Sequence, residues 1–327
     1  MKNMKKPLNL DQQYLNRLEN VTFNPIFIMG VQRSGTSILY KLLSETNSFN
    51  IVTAYHIIKY NELLHNNIKK LEGKIKLELE EFFKYKSQTD RGIDKLQITP
   101  DFPEEYGFIL TQKTGQSKLT HETLKIFTEF CKKIQFISKN DNLLLLKNPF
   151  DFSNFVYIKS VFPETKFIFI HRNPIKTLNS QLKAMRTLLE YKSEYMALLS
   201  PEYDRVFDNK ILFNYYRFMY SSFAPIRSNK AIKILVKSTD LFLENIESLT
   251  REEYICTRYE DICKKPEIEI EKILKFLNIE AKSHVQYSDF IKPRKTTNLK
   301  EIQKKEKFIL KRMKPYLSYN KYLENKL

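Results

Sequence analysis

The sequence predicts an α/β fold in which a parallel central sheet carries helices on both faces. Three observations predict it. Short apolar runs of strand length alternate along the chain with segments of helical period, the pattern of strand–helix–strand crossovers. Two of those runs, at 143–147 and 166–171, are apolar with little alternation, as strands covered on both faces are. Residues 25–37 read Pro-Ile-Phe-Ile-Met-Gly-Val-Gln-Arg-Ser-Gly-Thr-Ser, an apolar strand running into a loop that holds two of the protein's six glycines and then opens a helix.

The first strand is the buried run from Ile26 to Met29, and its helix is marked by Ile38, Leu39, Leu42 and Leu43 at helical spacing. A short strand is expected at 50–53. A mostly helical section at about 59–137 follows, with helices at 59–86 and 121–137 separated by a loop rich in charge and proline. The strand at 143–147 leads to a helix at 152–162 that Pro163 ends. After the strand at 166–171, Asn173 reads as a helix cap and Pro174 as the first residue of a long helix reaching 199. Helical material continues irregularly over 210–246, where Phe213, Tyr216, Phe218 and Tyr220 recur at helical spacing and read as core. A strand at 254–258 and a helix at 267–277 close the alternation. No repeat recurs, and 327 residues at 42% hydrophobic suit one large core, so a single elaborated domain over 1–327 is expected.

Composition narrows the class. No apolar run approaches the ~18 residues that span a bilayer, and Met-Lys-Asn-Met-Lys-Lys-Pro-Leu-Asn at the start lacks the apolar segment of a signal peptide, so a soluble, cytoplasmic protein is expected. Cys131, Cys256 and Cys263 have neither the even count of a disulfide framework nor zinc-ligand spacing, and read as buried thiols. A net charge of +17 suits a nucleic acid, a membrane surface or an anionic small molecule, although the joint abundance of lysine, isoleucine, asparagine and tyrosine explains part of it as compositional bias. From about residue 292 the tail is helical and basic: Lys292, Arg294, Lys295, Lys300, Lys304, Lys305, Lys307, Lys311, Arg312 and Lys314 face few acids. It is either a solvated face whose lysine stems cover apolar surface or an anion-binding element.

Gly30 and Gly35 have the spacing of the P-loop, Gly-x-x-x-x-Gly-Lys-[Ser/Thr], in which backbone N–H groups and a helix N-terminus wrap an anion. The lysine position is Thr36, so the polar work falls to Arg33 and the hydroxyls of Ser34, Thr36 and Ser37. The plainer alternative is a tight turn permitted by two glycines and capped by serine and threonine. In a parallel sheet, ligands sit at the carboxyl ends of the strands. Arg172 stands at such an end and Ser180 about two turns into the next helix, where the two can grip one phosphate from two sides. Otherwise Arg172 pairs with a surface carboxylate and Ser180 is an ordinary helix residue.

Three stretches, in order, resemble the sulfotransferases that use 3′-phosphoadenosine 5′-phosphosulfate (PAPS), and the resemblance covers most of the chain. Gly30-Val-Gln-Arg-Ser-Gly-Thr-Ser37 is similar to the family's phosphosulfate loop, which also lacks the P-loop lysine. His171-Arg-Asn-Pro174 with Ser180 is similar to its second motif, and Arg258-Tyr-Glu-Asp-Ile262, followed by Pro266 and Phe276-Leu277, to its late Arg-Tyr-Glu-Asp-Leu element. The resemblance implies a P-loop-like sheet and in-line transfer of a sulfuryl group to a hydroxyl or amine, with adenosine 3′,5′-bisphosphate (PAP) leaving and no metal. It places Arg33, Ser34, Gly35, Thr36 and Ser37 on the 5′ end of the donor, Arg172 and Ser180 on its 3′-phosphate, Tyr259 of the late element among the donor-binding residues, and Arg294 and Lys295 over the nucleotide.

It also implies catalytic parts. Lys147, in Leu-Leu-Leu-Leu-Lys-Asn-Pro, matches a lysine that stabilises charge on the sulfuryl group or leaving oxygen; the alternative is a snorkelling strand-end lysine. Pro100-Asp-Phe-Pro-Glu-Glu-Tyr-Gly-Phe108 resembles the family's acidic stretch, which makes Glu105 the first choice of general base and Glu104 the second, although Tyr-Gly stands where another acid is often found. His56 competes, since some sulfotransferases use histidine and its ordinary pKa of ~6.5 suits the task. Tyr55, His56, the helices up to 86 and the aromatic stretch at 191–223 are expected to wall the acceptor, which is a carbohydrate, a lipid headgroup, a tyrosyl peptide or a phenolic metabolite. No nucleic-acid partner is expected. Two other classes stay open: a P-loop kinase or nucleotide hydrolase, which normally wants a lysine at Thr36 and an acid for Mg²⁺, and a basic nucleic-acid-binding protein, which would fit the charge but has no recognition motif here.

Overall fold

Five strands, β1 (Pro25–Met29), β2 (Phe49–Ile51), β3 (Leu143–Lys147), β4 (Lys166–His171) and β5 (Tyr254–Arg258), form one parallel sheet in the order β2-β3-β1-β4-β5. The computed structural model describes residues 8–86, 90–93, 96–222, 225–291 and 297–323. Side chains alternate across the sheet. Phe27, Met29, Leu144, Leu146, Phe167 and Phe169 enter one core, and Ile26, Ile28, Leu145, Ile168 and Ile170 enter the other. Apolar side chains on both faces explain why the strands read as unbroken hydrophobic runs.

After β1 comes α1 (Thr36–Ser44), which packs Leu39, Tyr40, Leu42 and Leu43 on the second core; the Tyr40 hydroxyl donates to the Leu145 carbonyl at 2.9 Å. Between β2 and β3 run α2 (Ala54–Ile58), α3 (Leu63–Ile68), α4 (Glu72–Tyr85), α5 (Gly107–Thr114) and α6 (His121–Ser138). The expected helical section is therefore present, with α5 as an unforeseen member. Its first residue is a glycine, ordinarily a helix breaker, and a Cβ at Gly107 would lie 2.7 Å from Asn148 Oδ1.

β3 and β4 are joined by α7 (Phe155–Val161), and β4 continues into α8 (Pro174–Leu188). The single helix expected over 174–199 is in fact two, α8 and α9 (Glu194–Leu199). The Ser193 side chain accepts the Met196 N–H and starts a new helix, while the Tyr203 hydroxyl donates to the Leu188 carbonyl at 2.9 Å and accepts the Ser193 N–H at 2.9 Å. Backbone groups freed by the break are thus satisfied. Then come α10 (Pro201–Asp208), α11 (Lys210–Tyr220) and α12 (Pro225–Asn245). The aromatic residues expected to be core on α11 are not: Met219 is its one buried residue, Phe213, Tyr216 and Tyr220 are half-buried, and Phe218 is exposed.

β5 leads to α13 (Tyr259–Lys264) and α14 (Pro266–Leu277), whose apolar face covers the second core. The described part of the basic tail forms α15 (Lys300–Gln303), α16 (Glu306–Arg312) and α17 (Lys314–Tyr319). It buries Ile302, Ile309, Met313, Tyr316 and Leu317 and turns Lys304, Lys307, Lys311, Arg312 and Lys314 to solvent, an amphipathic face rather than a basic cluster. Of the cysteines only Cys131 is buried; Cys263 is half-buried and Cys256 exposed, because β5 is an edge strand.

Candidate active site

The chain leaves β1 toward β2 and β3 on one side and returns to β4 on the other, so the loop after β1 lies where the order of winding reverses. That loop is built for close approach. A Cβ at Gly30 would lie 2.8 Å from the Ile170 carbonyl oxygen, and Gly35 has a φ of +107° with its α-hydrogen side against the Tyr259 ring. Gly35 is also the N-cap of α1 and offers no side chain, leaving the first-turn N–H groups of the helix without a side-chain cap. Ser34 is buried and its Oγ has no partner among the described residues. A loop of this kind presents N–H groups and a helix dipole to an anion.

Two cations converge on it. Arg172, at the end of β4, lies over the Tyr259 ring at 4.3 Å, donates from Nη1 to the Arg33 carbonyl at 2.9 Å, and keeps a buried Nε with no partner among the described residues. Arg33, with φ +71°, donates from Nε to Ser180 Oγ at 3.2 Å and from Nη2 to the Ile93 carbonyl at 3.0 Å. Arg33, Arg172, Ser180 and Tyr259 are therefore one constellation, as the spacing of the motifs suggested, and Arg172 bonds to the loop backbone instead of a surface carboxylate. Arg294 and Lys295 lie outside the described residues. Just beyond them the Thr297 carbonyl accepts from Asn179 and Lys183 of α8, the helix that carries Ser180.

On the other side of the loop, Lys147 ends β3 on the face of Leu145 and points at α1. Its fully buried Nζ donates to Ser37 Oγ at 3.0 Å and pairs with Glu105 Oε1 at 3.0 Å. Glu105 is brought there by backbone bonds that lay the acidic stretch along the ends of β2 and β3: Ala54 N–H to the Phe102 carbonyl, Glu104 N–H to the Val52 carbonyl, and Tyr106 N–H to the Lys147 carbonyl. Beneath it a buried knot holds the register. The Tyr106 hydroxyl donates to Asp151 at 2.6 Å, and Asn148 donates to the same carboxylate at 2.8 Å.

Glu104 finds other partners, although the Lys147 charge acts on it. It is fully buried, accepts the Tyr195 hydroxyl at 2.7 Å and lies 3.6 Å from the Arg91 guanidinium, and burial raises its carboxyl pKa. Tyr195 and Arg91 carry no signal in the sequence, one being an unremarkable helical tyrosine and the other a loop arginine. His56 does not join Lys147. As the third residue of α2 it forms a reciprocal cap with Thr53, its Nδ1 accepting the Thr53 N–H at 3.1 Å. Burial pushes its pKa down to about 4, and the charges nearest in effect are Lys76, Glu72 and Asp101. Among the described residues no group of three or more histidine, cysteine or acidic side chains is arranged to hold a metal ion.

Comparison with known proteins is consistent in kind. The model of the sulfotransferase family matches residues 25–283. A sulfotransferase from Mycobacterium avium is similar in structure at 14% identity and a TM-score of 0.61, over 94% of this chain and 79% of that one. Another, from Mycobacterium tuberculosis H37Rv, is similar at 12% identity and a TM-score of 0.52, over 92% and 79%. Such identities speak for the fold alone. No curated protein matches this chain in sequence.

Proposed function

We propose that this chain, which belongs to the sulfotransferase family, moves the sulfuryl group of PAPS onto a hydroxyl or amine acceptor by in-line displacement and releases PAP. The observation that carries this is the junction of Arg33, Arg172 and Ser180 beside an uncapped helix N-terminus. A nucleotide with one anion at its 5′ end and another on its ribose finds a partner for each, and the unpartnered Ser34 Oγ and Arg172 Nε are polar atoms that such a ligand would satisfy.

Bound there, the donor supplies the activated sulfuryl group. The N–H groups of the loop and of the first turn of α1, with Thr36 and Ser37, hold its 5′ end. Arg172 and Ser180 hold the 3′-phosphate, with Tyr259 under the Arg172 guanidinium; Arg33, bonded to Ser180, stands with them instead of at the 5′ end where the resemblance puts it. Lys147, already tied to Ser37, sits at the edge of the cradle and offsets charge that develops on the departing oxygen, the kind of preorganised electrostatic term that dominates transfer chemistry. Glu105 takes the acceptor's proton, and its pairing with Lys147 fixes base and charge stabiliser to one another. His56 is a capping residue, since its Nδ1 is engaged by the backbone. Glu104 is a buried support.

Calorimetric titration with PAP against ATP and ADP, with and without Mg²⁺, tests the proposal. PAP binding preferred over both nucleotides and independent of Mg²⁺ is expected. Preference for ATP with Mg²⁺ would overturn it in favour of a kinase or hydrolase.

A further inference from the structure

Residues 209–239, which span α11 and most of α12, contain six basic residues, Lys210, Arg217, Arg227, Lys230, Lys233 and Lys237, and no acid. The same stretch exposes large apolar side chains. Ile211 is 84% exposed, Tyr215 52% and Phe218 62%, and they fall at i, i+4 and i+7 on one stripe of α11. On α12, Ile226 is 57% and Ile234 56% exposed, on the side opposite the buried Ile232, Leu235, Val236 and Thr239 and alongside the exposed Lys230, Lys233 and Lys237. The two helices are pinned together, because the Arg227 guanidinium lies over the Tyr216 and Tyr220 rings at 5.6 and 5.1 Å.

We propose that this pair of helices, acid-free over 209–239, docks the protein on an anionic phospholipid surface. The acids beyond the stretch do not cancel its charge: Asp204 and Asp208 of α10 pair with Lys192, Asp240 further along α12 pairs with Arg312, and the exposed Glu244 follows a turn later toward the end of α12. A helix with aliphatic and aromatic residues on one side and only cations among its charges is suited to lie in the headgroup region, its apolar side chains among the acyl chains, its tyrosines at the polar boundary and its bases on anionic lipid. Other occupants fit less well. A second copy would set one all-cationic stretch against another, and the phosphate backbone of a nucleic acid offers Ile211, Ile226 and Ile234 nothing apolar to meet. α12 itself is not apolar enough to cross a bilayer, so the contact is peripheral. Since α11 packs on α8, which carries Ser180, the docked face adjoins the helix that bears the donor site.

The test is cosedimentation of the full chain with vesicles of about two parts phosphatidylcholine to one part phosphatidylserine, against pure phosphatidylcholine. The native chain is expected to bind the anionic vesicles selectively and to be released by salt. The exposed double variant Ile211→Asp, Phe218→Asp and the charge variant Lys230→Glu, Lys233→Glu are each expected to lose about tenfold or more of that binding. No sedimentation of the native chain, equal sedimentation with both vesicles, or binding that survives both variants would overturn the proposal, as would variant-sensitive binding to an oligonucleotide in place of vesicles. PAP titration of the same variants separates the two proposals: it reports the donor site and the fold, whatever the vesicles show.

Discussion

At the residue scale, Arg172 is the side chain whose surroundings are most specific. It is stacked on Tyr259, anchored on the Arg33 carbonyl, and keeps one buried N–H without a partner. Replacing it by alanine removes a charge-assisted contact of about 1.5–3 kcal/mol. Arg172→Ala is expected to weaken PAP binding by roughly ten- to a hundredfold while changing adenosine 5′-phosphate binding little, as calorimetry would measure; equal losses for both would remove Arg172 from the 3′-phosphate site. His171, next to it, has a different role. It is buried among Phe152, Phe169, Phe242 and Tyr316, shares a hydrogen bond with the Tyr316 hydroxyl and has an Nε2 without a partner, and burial pushes its pKa down to about 3. His56 is likewise lowered, to about 4. Both imidazoles stay neutral in the folded chain while the unfolded chain takes up protons below ~6.5, so the stability they contribute is present above that pH. It is lost as the pH falls through the window down to about 4 for His56 and about 3 for His171. Glu104 and Asp151, raised by burial, act in the opposite sense in the carboxylate range. The thermal midpoint of His171→Phe should therefore fall less steeply with acid than that of the native chain, and parallel curves would show that His171 is not among the groups that make the fold acid-sensitive.

At the scale of elements, the strand–loop–helix unit of β1 and α1 and the short α5 depend on glycines for different reasons. Gly35 is needed for a positive φ and for contact with Tyr259, and Gly107 because Asn148 stands where its Cβ would be. Gly107→Ala is expected to cost about 1–3 kcal/mol by overpacking. It should also disturb Glu105 more than the donor loop, since the start of α5 is tied to the end of β3 and not to α1. A lowered thermal midpoint with nearly unchanged PAP affinity is the outcome to look for; unchanged stability would mean that Asn148 yields freely. The same two glycines differ in how readable they were. Gly35 sat in a motif whose strand and helix were both evident, whereas Gly107 followed prolines and acids and argued against the helix it begins. The break between α8 and α9 was hidden for a related reason: it rests on Tyr203, a partner from the next helix, and not on a local breaker.

At the scale of the molecule, strand order makes the site. With β1 between β3 and β4, Lys147 and Arg172 come to opposite sides of one loop, although they are 110 and 139 positions from the residues they bond, Ser37 at the start of α1 and Arg33 in the loop. On the reading proposed above, Lys147→Ala is expected to slow sulfuryl transfer by a factor on the order of 10² while PAP affinity stays within a few-fold, because its charge acts on the departing oxygen while the loop N–H groups remain to hold the 5′ end. Collapse of PAP affinity with unchanged turnover would make it a donor-binding residue instead. What the sequence by itself determined are the five strands and the glycine loop with the arginine and serine that meet it, for these are written in local signals: continuous apolar runs, glycine spacing, and arginine and serine at set distances from strand ends. Only the tertiary structure decided which of Glu104, Glu105 and His56 meets Lys147, and which aromatic residues of α11 are left outside the core. Adjacent residues on an irregular stretch meet different partners according to backbone bonds made with distant strands. Outside the polar stripe of Lys210, Asn214 and Arg217, α11 is apolar over most of its circumference, and its period does not say which part of that broad apolar face the neighbours cover.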